Sequence, residues 1–190
     1  MIIQHPNFIN DYELKGLANH LEELVSTEVF DNNPFYHWIK VEDEDSTYHI
    51  DFLKSTIYKQ LDYLNKFIEK RDWKINYMGF AYQTAGFPYH ADAFWPKTES
   101  QRELGNPSHN KNTFTGYEGE WEPNYVPERV FTTVLYLNDV IGGETDFPTF
   151  KARVRPESKK LLGFHCDEKH IHGVLPTIEG IRKTFIMWFE

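Results

Sequence analysis

Cysteine is nearly absent: Cys166 is the only one among 190 residues. One thiol cannot close an intrachain disulfide, which excludes a bridged framework and a multi-cysteine zinc site. A reducing compartment, the cytoplasm, is the expected setting. Long apolar runs are also lacking, and no stretch approaches the ~18 residues that a membrane span needs. The opening Met1-Ile2-Ile3-Gln4-His5-Pro6 has neither the basic region nor the apolar run of a secretory signal. Positive charge is scarce: 20 Lys plus Arg stand against 29 Asp plus Glu, a net charge of −9. The basic residues form no long run, and binding a phosphate backbone requires them clustered, so nucleic acid is not an expected partner. There is no internal repeat and no low-complexity tract.

The chain is instead rich in aromatic residues, at 16%, and in histidine, with nine. Its length suits one domain with a core of its own. The texture changes near Arg71, so residues 1–71 read as helical support and 72–190 as a strand-rich body. Asn10-Asp11 precedes Leu14, Leu17, Leu21 and Leu24, whose spacing predicts a helix over about 11–26. Ser46 is a good N-cap for a second helix carrying Ile50, Leu53, Ile57, Leu61, Leu64 and Ile68 on one face.

Beyond Arg71, Ile75, Tyr77, Phe80 and Tyr82 predict a strand that runs to a turn at Ala85-Gly86. Further strands are predicted over 129–137, 152–155, 160–164, 172–175 and 184–189. Several short strands without intervening helices point to an antiparallel sandwich or jelly roll. Residues 93–128 stand out as a long polar, turn-rich segment that carries Trp95, Tyr117, Trp121 and Tyr125. A loop of this length in a compact domain is usually functional, and here a mobile lid is expected.

The residues that carry chemistry are His90-Ala91-Asp92, His172 and Arg182. Positions two apart on a strand point to the same side, so His90 and Asp92 can aim an imidazole and a carboxylate at one point. A third ligand from a distant strand would complete a triad of two His and one carboxylate, the set that leaves open positions on Fe(II). His109, His165, His170 and His172 are all available for that third place.

The wider pattern includes Tyr136-Leu137-Asn138, Gly142-Gly143-Glu144-Thr145, His172-Gly173-Val174-Leu175-Pro176, and Arg182 ten residues after His172. Together with His90-x-Asp92 these motifs resemble the prolyl 4-hydroxylase family of 2-oxoglutarate/Fe(II) dioxygenases. The resemblance runs from Tyr82 to Trp188. It implies a double-stranded β-helix supported by the two helices, a mainly β fold of α+β class. It selects His172 as the third iron ligand, because only His172 precedes Gly-Val-x-Pro and has Arg182 at the family spacing. It implies that His90, Asp92 and His172 bind iron and that Arg182 pairs with the distal carboxylate of 2-oxoglutarate. Tyr136 would donate a hydrogen bond to that carboxylate, Trp188 would line its pocket, and Tyr82 would help to hold the cosubstrate. Arg129 and Trp95 would meet the substrate.

The implied reaction consumes 2-oxoglutarate and O2, releases succinate and carbon dioxide, and hydroxylates a substrate C–H bond, with ascorbate as a further small-molecule partner. The expected substrate is a prolyl residue in a peptide or protein. A free amino acid or another side chain, such as lysine, is the alternative. A non-catalytic jelly-roll binding module would more readily have lost one of these residues. Taken alone, Arg182 reads as a strand-edge arginine, and Tyr136 and Trp188 read as core aromatics.

Overall fold

A computed structural model of the chain describes residues 1–26, 36–40, 51–98 and 120–190, with the backbone alone for 36–40. Helix α1 spans Asp11–Ser26. Its start is a reciprocal capping box: the Glu13 N–H donates to Asn10 Oδ1 at 2.9 Å and the Asn10 N–H donates to Glu13 Oε2 at 3.0 Å. Helix α2 spans Asp51–Phe67 and buries Leu53, Ile57 and Leu64. The predicted Ser46 cap and Ile50 lie outside the described residues. Each such buried aliphatic side chain contributes about 1.5–3 kcal/mol relative to exposure.

The strands, in chain order, are β1 (Ile2–His5), β2 (Tyr36–Lys40), β3 (Ile75–Gln83), β4 (Phe87–His90), β5 (Phe94–Pro96), β6 (Trp121–Pro123) and β7 (Phe131–Tyr136). They continue with β8 (Ile141–Gly142), β9 (Thr145–Phe147), β10 (Ala152–Val154), β11 (Leu161–His165), β12 (His172–Val174), β13 (Thr177–Glu179) and β14 (Arg182–Phe189). A larger sheet has the order β1-β11-β7-β14-β3-β2, and a smaller one the order β10-β9-β12-β4. Every pairing in them is antiparallel. Residues 1–71 therefore supply two strands, β1 and β2, as well as the helices.

The alternation of side chains along β7 and β14 divides the core. Phe131 and Leu135 on β7, with Phe185, Met187 and Phe189 on β14, face Leu17, Leu21, Ile57 and Leu64 of the helices. Val134 and Tyr136 on β7, with Ile186 on β14 and Phe164 on β11, face Phe147 and Val154 of the smaller sheet. The layers are helix, large sheet and small sheet, as expected of a helix-supported double-stranded β-helix. Gly142 and Gly143 have φ of +79° and +68°, which the turn between β8 and β9 requires and glycine adopts without strain.

Candidate active site

His90 closes β4, and His172 opens β12 directly opposite it. The His90 Nδ1 lies 2.8 Å from the Pro88 carbonyl oxygen, and the His172 Nδ1 lies 3.1 Å from that of His170. A carbonyl oxygen only accepts, so each Nδ1 carries a proton, and in the neutral tautomer that a metal binds the lone pair is on Nε2. Both Nε2 atoms turn toward Asp92: its Oδ1 is 3.4 Å from that of His90 and 3.9 Å from that of His172. The three ligand atoms all lie within 4.8 Å of one another. Ligand atoms roughly 2.1 Å from one ion and at right angles stand about 3 Å apart, so a small contraction would close the set on a divalent cation.

Burial, followed by the neighbouring His90, pushes the His172 imidazole down to about 4. Burial acts to raise the Asp92 carboxyl, but His172, His90 and the Thr132 hydroxyl outweigh it and hold the group below the usual carboxylate range. At neutral pH His172 is therefore neutral and Asp92 is ionised, as a divalent metal requires of its ligands.

Asp92 is not on a strand. β4 ends at His90, and Asp92 sits in the bend that follows, between the buried Ala91 and Ala93. The convergence expected from strand alternation is instead produced by ties from three other segments. Thr132 on β7 donates to Asp92 Oδ2 at 2.5 Å, and Asn124 Nδ2 donates to the Asp92 carbonyl at 2.9 Å. The Ala93 N–H donates to the Cys166 carbonyl at 3.1 Å.

Arg182, at the start of β14, is 2% exposed. Its Nη1 donates to Gln83 Oε1 at 2.7 Å, and its Nη2 lies 3.3 Å from Thr145 Oγ1. Its guanidinium carbon sits 5.2 Å from the centre of the Tyr136 ring, and its Nε has no hydrogen-bond partner among the described residues. No ion pair with a carboxylate forms at Arg182 among the described residues. A buried cation with only neutral partners is costly, and an anionic ligand would offset that cost. Tyr136 lies fully buried beside it, with its hydroxyl 2.7 Å from Thr145 Oγ1.

Arg182 and the His90–Asp92–His172 cluster share one cavity of about 750 Å³, lined also by Gln83 and Thr145. Trp95, Tyr125, Arg129 and Trp188 line it as well. The Arg129 guanidinium carbon lies 4.5 Å from the Trp188 ring centre, and its Nε donates to Asn76 Oδ1 at 3.0 Å. Trp95 Nε1 donates to Glu122 Oε1 at 3.1 Å.

Most of the expected site residues thus meet in one place, with exceptions. Tyr82 is a correction. It shares the face of β3 that carries Met78 and Phe80 and packs against the helix-side core, with Lys183 5.6 Å from its ring. Alternation sends Tyr77 and Gln83 into the cavity instead. Tyr136 touches Arg182 and Thr145 from the core and is not part of the lining. Of the competing histidines, His170 is bound through Nδ1 to Asp167 at 2.5 Å and through Nε2 to the Met1 amine at 2.6 Å. His165 lies edge-on to Phe131, with ring centres 5.1 Å apart. His109 lies outside the described residues.

Sequence reasoning missed Gln83, Thr132 and Asn124, and it quoted Thr145 within a motif without giving it a role. Parity was an available signal for two of them, since Gln83 and Thr132 alternate with the apolar helix-facing residues of β3 and β7. The ends of the long 93–128 segment are not open loop. β5 and β6 pair, Trp95 opposite Glu122, beside the cavity. Its residues 99–119, where most of the expected lid falls, lie outside the described residues.

The two donor groups match the chemistry of Fe(II) and 2-oxoglutarate: a three-donor face for the metal and a buried guanidinium with an unpartnered Nε for a carboxylate. The sequence profile of the 2OG-Fe(II) oxygenase superfamily matches residues 73–190, well over half of the chain. No curated protein matches the chain. Among solved structures, it is similar to the viral collagen prolyl hydroxylase of Paramecium Bursaria Chlorella virus-1 in complex with 2OG. The TM-score is 0.67 and the identity 16%, covering 99% of this chain and 94% of that one. A prolyl hydroxylase from Trichoplax adhaerens, bound to a hypoxia inducible factor peptide fragment, has a TM-score of 0.65 at 17% identity, covering 99% and 82%. A Pseudomonas putida prolyl-4-hydroxylase has a TM-score of 0.63 at 16% identity, covering 100% and 91%. At these identities the likeness speaks to the fold alone. The profile match, on this fold and with this donor set, makes the chain a member of the 2OG-Fe(II) oxygenase superfamily, enzymes that use Fe(II), 2-oxoglutarate and O2.

Proposed function

We propose that this chain hydroxylates a prolyl residue in a peptide or protein, coupled to the conversion of 2-oxoglutarate to succinate. The observation that carries this reading is the pairing, within one cavity, of the His90–Asp92–His172 face with the buried Arg182. In this reading His90, Asp92 and His172 hold Fe(II), and Arg182 holds the distal carboxylate of 2-oxoglutarate. Charge-assisted bonding to a guanidinium fork suits that task. Tyr136 and Thr145 fix the guanidinium from behind. Bound together, Fe(II) and 2-oxoglutarate supply the oxidising chemistry; the protein orients the substrate C–H bond and excludes water.

Prolyl specificity is supported by the aromatic lining. Trp95, Tyr125 and Trp188 offer flat apolar faces to a pyrrolidine ring, and Arg129 can meet a carbonyl or an acidic group beside it. The structural relatives named above for collagen and for a hypoxia inducible factor peptide point the same way. Arg129 also favours a second reading, a free amino acid whose α-carboxylate it would receive. A reducing cytoplasmic setting goes with either, since Cys166 is free and buried. No described helix is long and apolar enough to cross a membrane.

The test is to incubate the protein with Fe(II), 2-oxoglutarate and ascorbate, offering proline-containing peptides, free L-proline and free L-lysine. Succinate formation together with the gain of one oxygen on a prolyl peptide is the expected result. Oxidation of a free amino acid alone would select the second reading. Succinate release without any oxidised product would leave the substrate class wrong.

A further inference from the structure

Asp92 is the member of the ligand set that no strand holds, so its carboxylate needs another constraint. The oxygen that faces the imidazoles is Oδ1, and the other, Oδ2, accepts from Thr132 Oγ1. An ionised carboxylate has no proton to give, so Thr132 is the donor. Its oxygen remains free to accept, and Cys166 Sγ lies 3.1 Å away. The thiol is therefore the next donor, and the bonds run in one direction: Cys166 S–H to Thr132, and Thr132 O–H to Asp92. Cys166, Thr132 and Asp92 are 2%, 1% and 5% exposed, so little water competes for these bonds.

We propose that Thr132 is a positioning residue, held in its rotamer by the Cys166 thiol, which occupies Oδ2 so that Asp92 offers the metal one oxygen. The reason is the number of coordination places. A carboxylate free to turn can bind a cation through both oxygens. An octahedral ion held by two imidazoles and one carboxylate oxygen keeps three places open. Those places would be needed for the cosubstrate and its co-reactant, and a second Asp92 oxygen would take one of them. The backbone ties from Asn124 and Ala93 fix where residue 92 sits but leave its carboxylate free to rotate. Apart from the two imidazoles that Oδ1 faces, only Thr132 restrains that rotation among the described contacts. This inference rests on the ligand assignment proposed above.

The experiment is a Co(II) titration of the purified protein, following both affinity and the visible ligand-field spectrum, with no turnover involved. Outer-shell partners of metal ligands typically account for about 10–100-fold in affinity. Thr132→Val, which keeps the shape and loses the hydroxyl, should let both Asp92 oxygens reach the ion, which changes the spectrum and shifts Co(II) affinity by about that factor. Thr132→Ser should restore both to within roughly threefold of the parent, and Cys166→Ala should give a smaller change of the same kind. Thermal melts verify folding, and Thr132→Ala takes the place of Thr132→Val should the latter not fold. A folded Thr132→Val protein with parental affinity and spectrum would overturn the proposal, provided that His172→Ala has lost the metal. If His172→Ala also binds as the parent does, the ligand assignment fails and this inference fails with it.

Discussion

His90 and His172 are register partners on neighbouring antiparallel strands, with ring centres 4.4 Å apart. Among the described residues β4, which carries His90, is an edge strand that pairs in its sheet with β12 alone. An ion shared by the two Nε2 atoms would clasp that edge to the rest of the sheet.

Removing the metal should therefore loosen β4 first. A ligand at about 100 times its Kd stabilises the form that binds it by about 2.7 kcal/mol. Amide exchange across 87–90 should accelerate by up to roughly 100-fold when Co(II)-loaded protein is treated with a chelator. The amides of β14, in the middle of the larger sheet, should change far less. Equal acceleration in both strands would show that the metal supports the whole fold, not this edge.

His172→Ala should lose metal binding and 2-oxoglutarate turnover. His170→Ala should keep most of both, because the His170 ring is bound to Asp167 and the Met1 amine and reaches His172 only through its backbone carbonyl. Metal content after dialysis, read beside succinate production, separates the two. A dead His170 variant with an active His172 variant would reverse the assignment.

Arg182→Ala should raise the KM for 2-oxoglutarate at least about tenfold, since a charge-assisted bond is worth about 1.5–3 kcal/mol and each decade takes 1.4. Tyr136→Phe should raise it less, since the hydroxyl acts through Thr145 and the ring stays beneath the guanidinium. The comparison needs initial rates over a range of 2-oxoglutarate concentrations at fixed Fe(II).

Glu13 links the start of α1 to α2. Its carboxylate accepts from the Asn10 N–H, from Ser55 Oγ at 2.7 Å and from Lys59 Nζ at 2.6 Å. Burial acts to raise its pKa, but Lys59, Ser55 and Asn10 outweigh that and hold it below the ordinary 4.5. The folded protein thus binds fewer protons at this site than the unfolded chain. The stabilisation is fully present above the unfolded pKa and is lost as pH falls through the folded one. Glu13→Gln should cost about 1–3 kcal/mol at pH 7. The gap between parent and variant should close as the solution is taken below pH 4, which denaturant melts at several pH values would follow.

Where the chain's own periodicity was strong, it was legible. The stripe through Leu53, Ile57 and Leu64 marks the buried face of α2, and 129–137 reads correctly as a strand. β1 has no such mark: it is four residues long and is held by backbone pairing to β11, more than 150 residues away in sequence. The β5–β6 pairing escapes for a similar reason, since its arms are separated by a long segment and each ends in proline. Motifs single out His90, Asp92, His172 and Arg182 because those residues are chemically distinctive, and the structure brings the four to one cavity. Gln83, Thr132 and Thr145 are neutral polar residues whose meaning depends on which charged group the fold brings beside them. Tyr82 went astray because motif spacing was followed over strand parity. Phe80, two residues earlier, already assigns that face of β3 to the helices.

The arm that follows β5 and β6 has one further property. Asn124 grips Asp92 through its side-chain amide and Ala93 through its backbone N–H, and its Oδ1 accepts the Val126 N–H at 2.8 Å. The main chain at residues 92 and 93 is thereby fastened to the segment that leaves β6, so replacing the Asn124 side chain alone would be felt at Asp92 through one lost hydrogen bond.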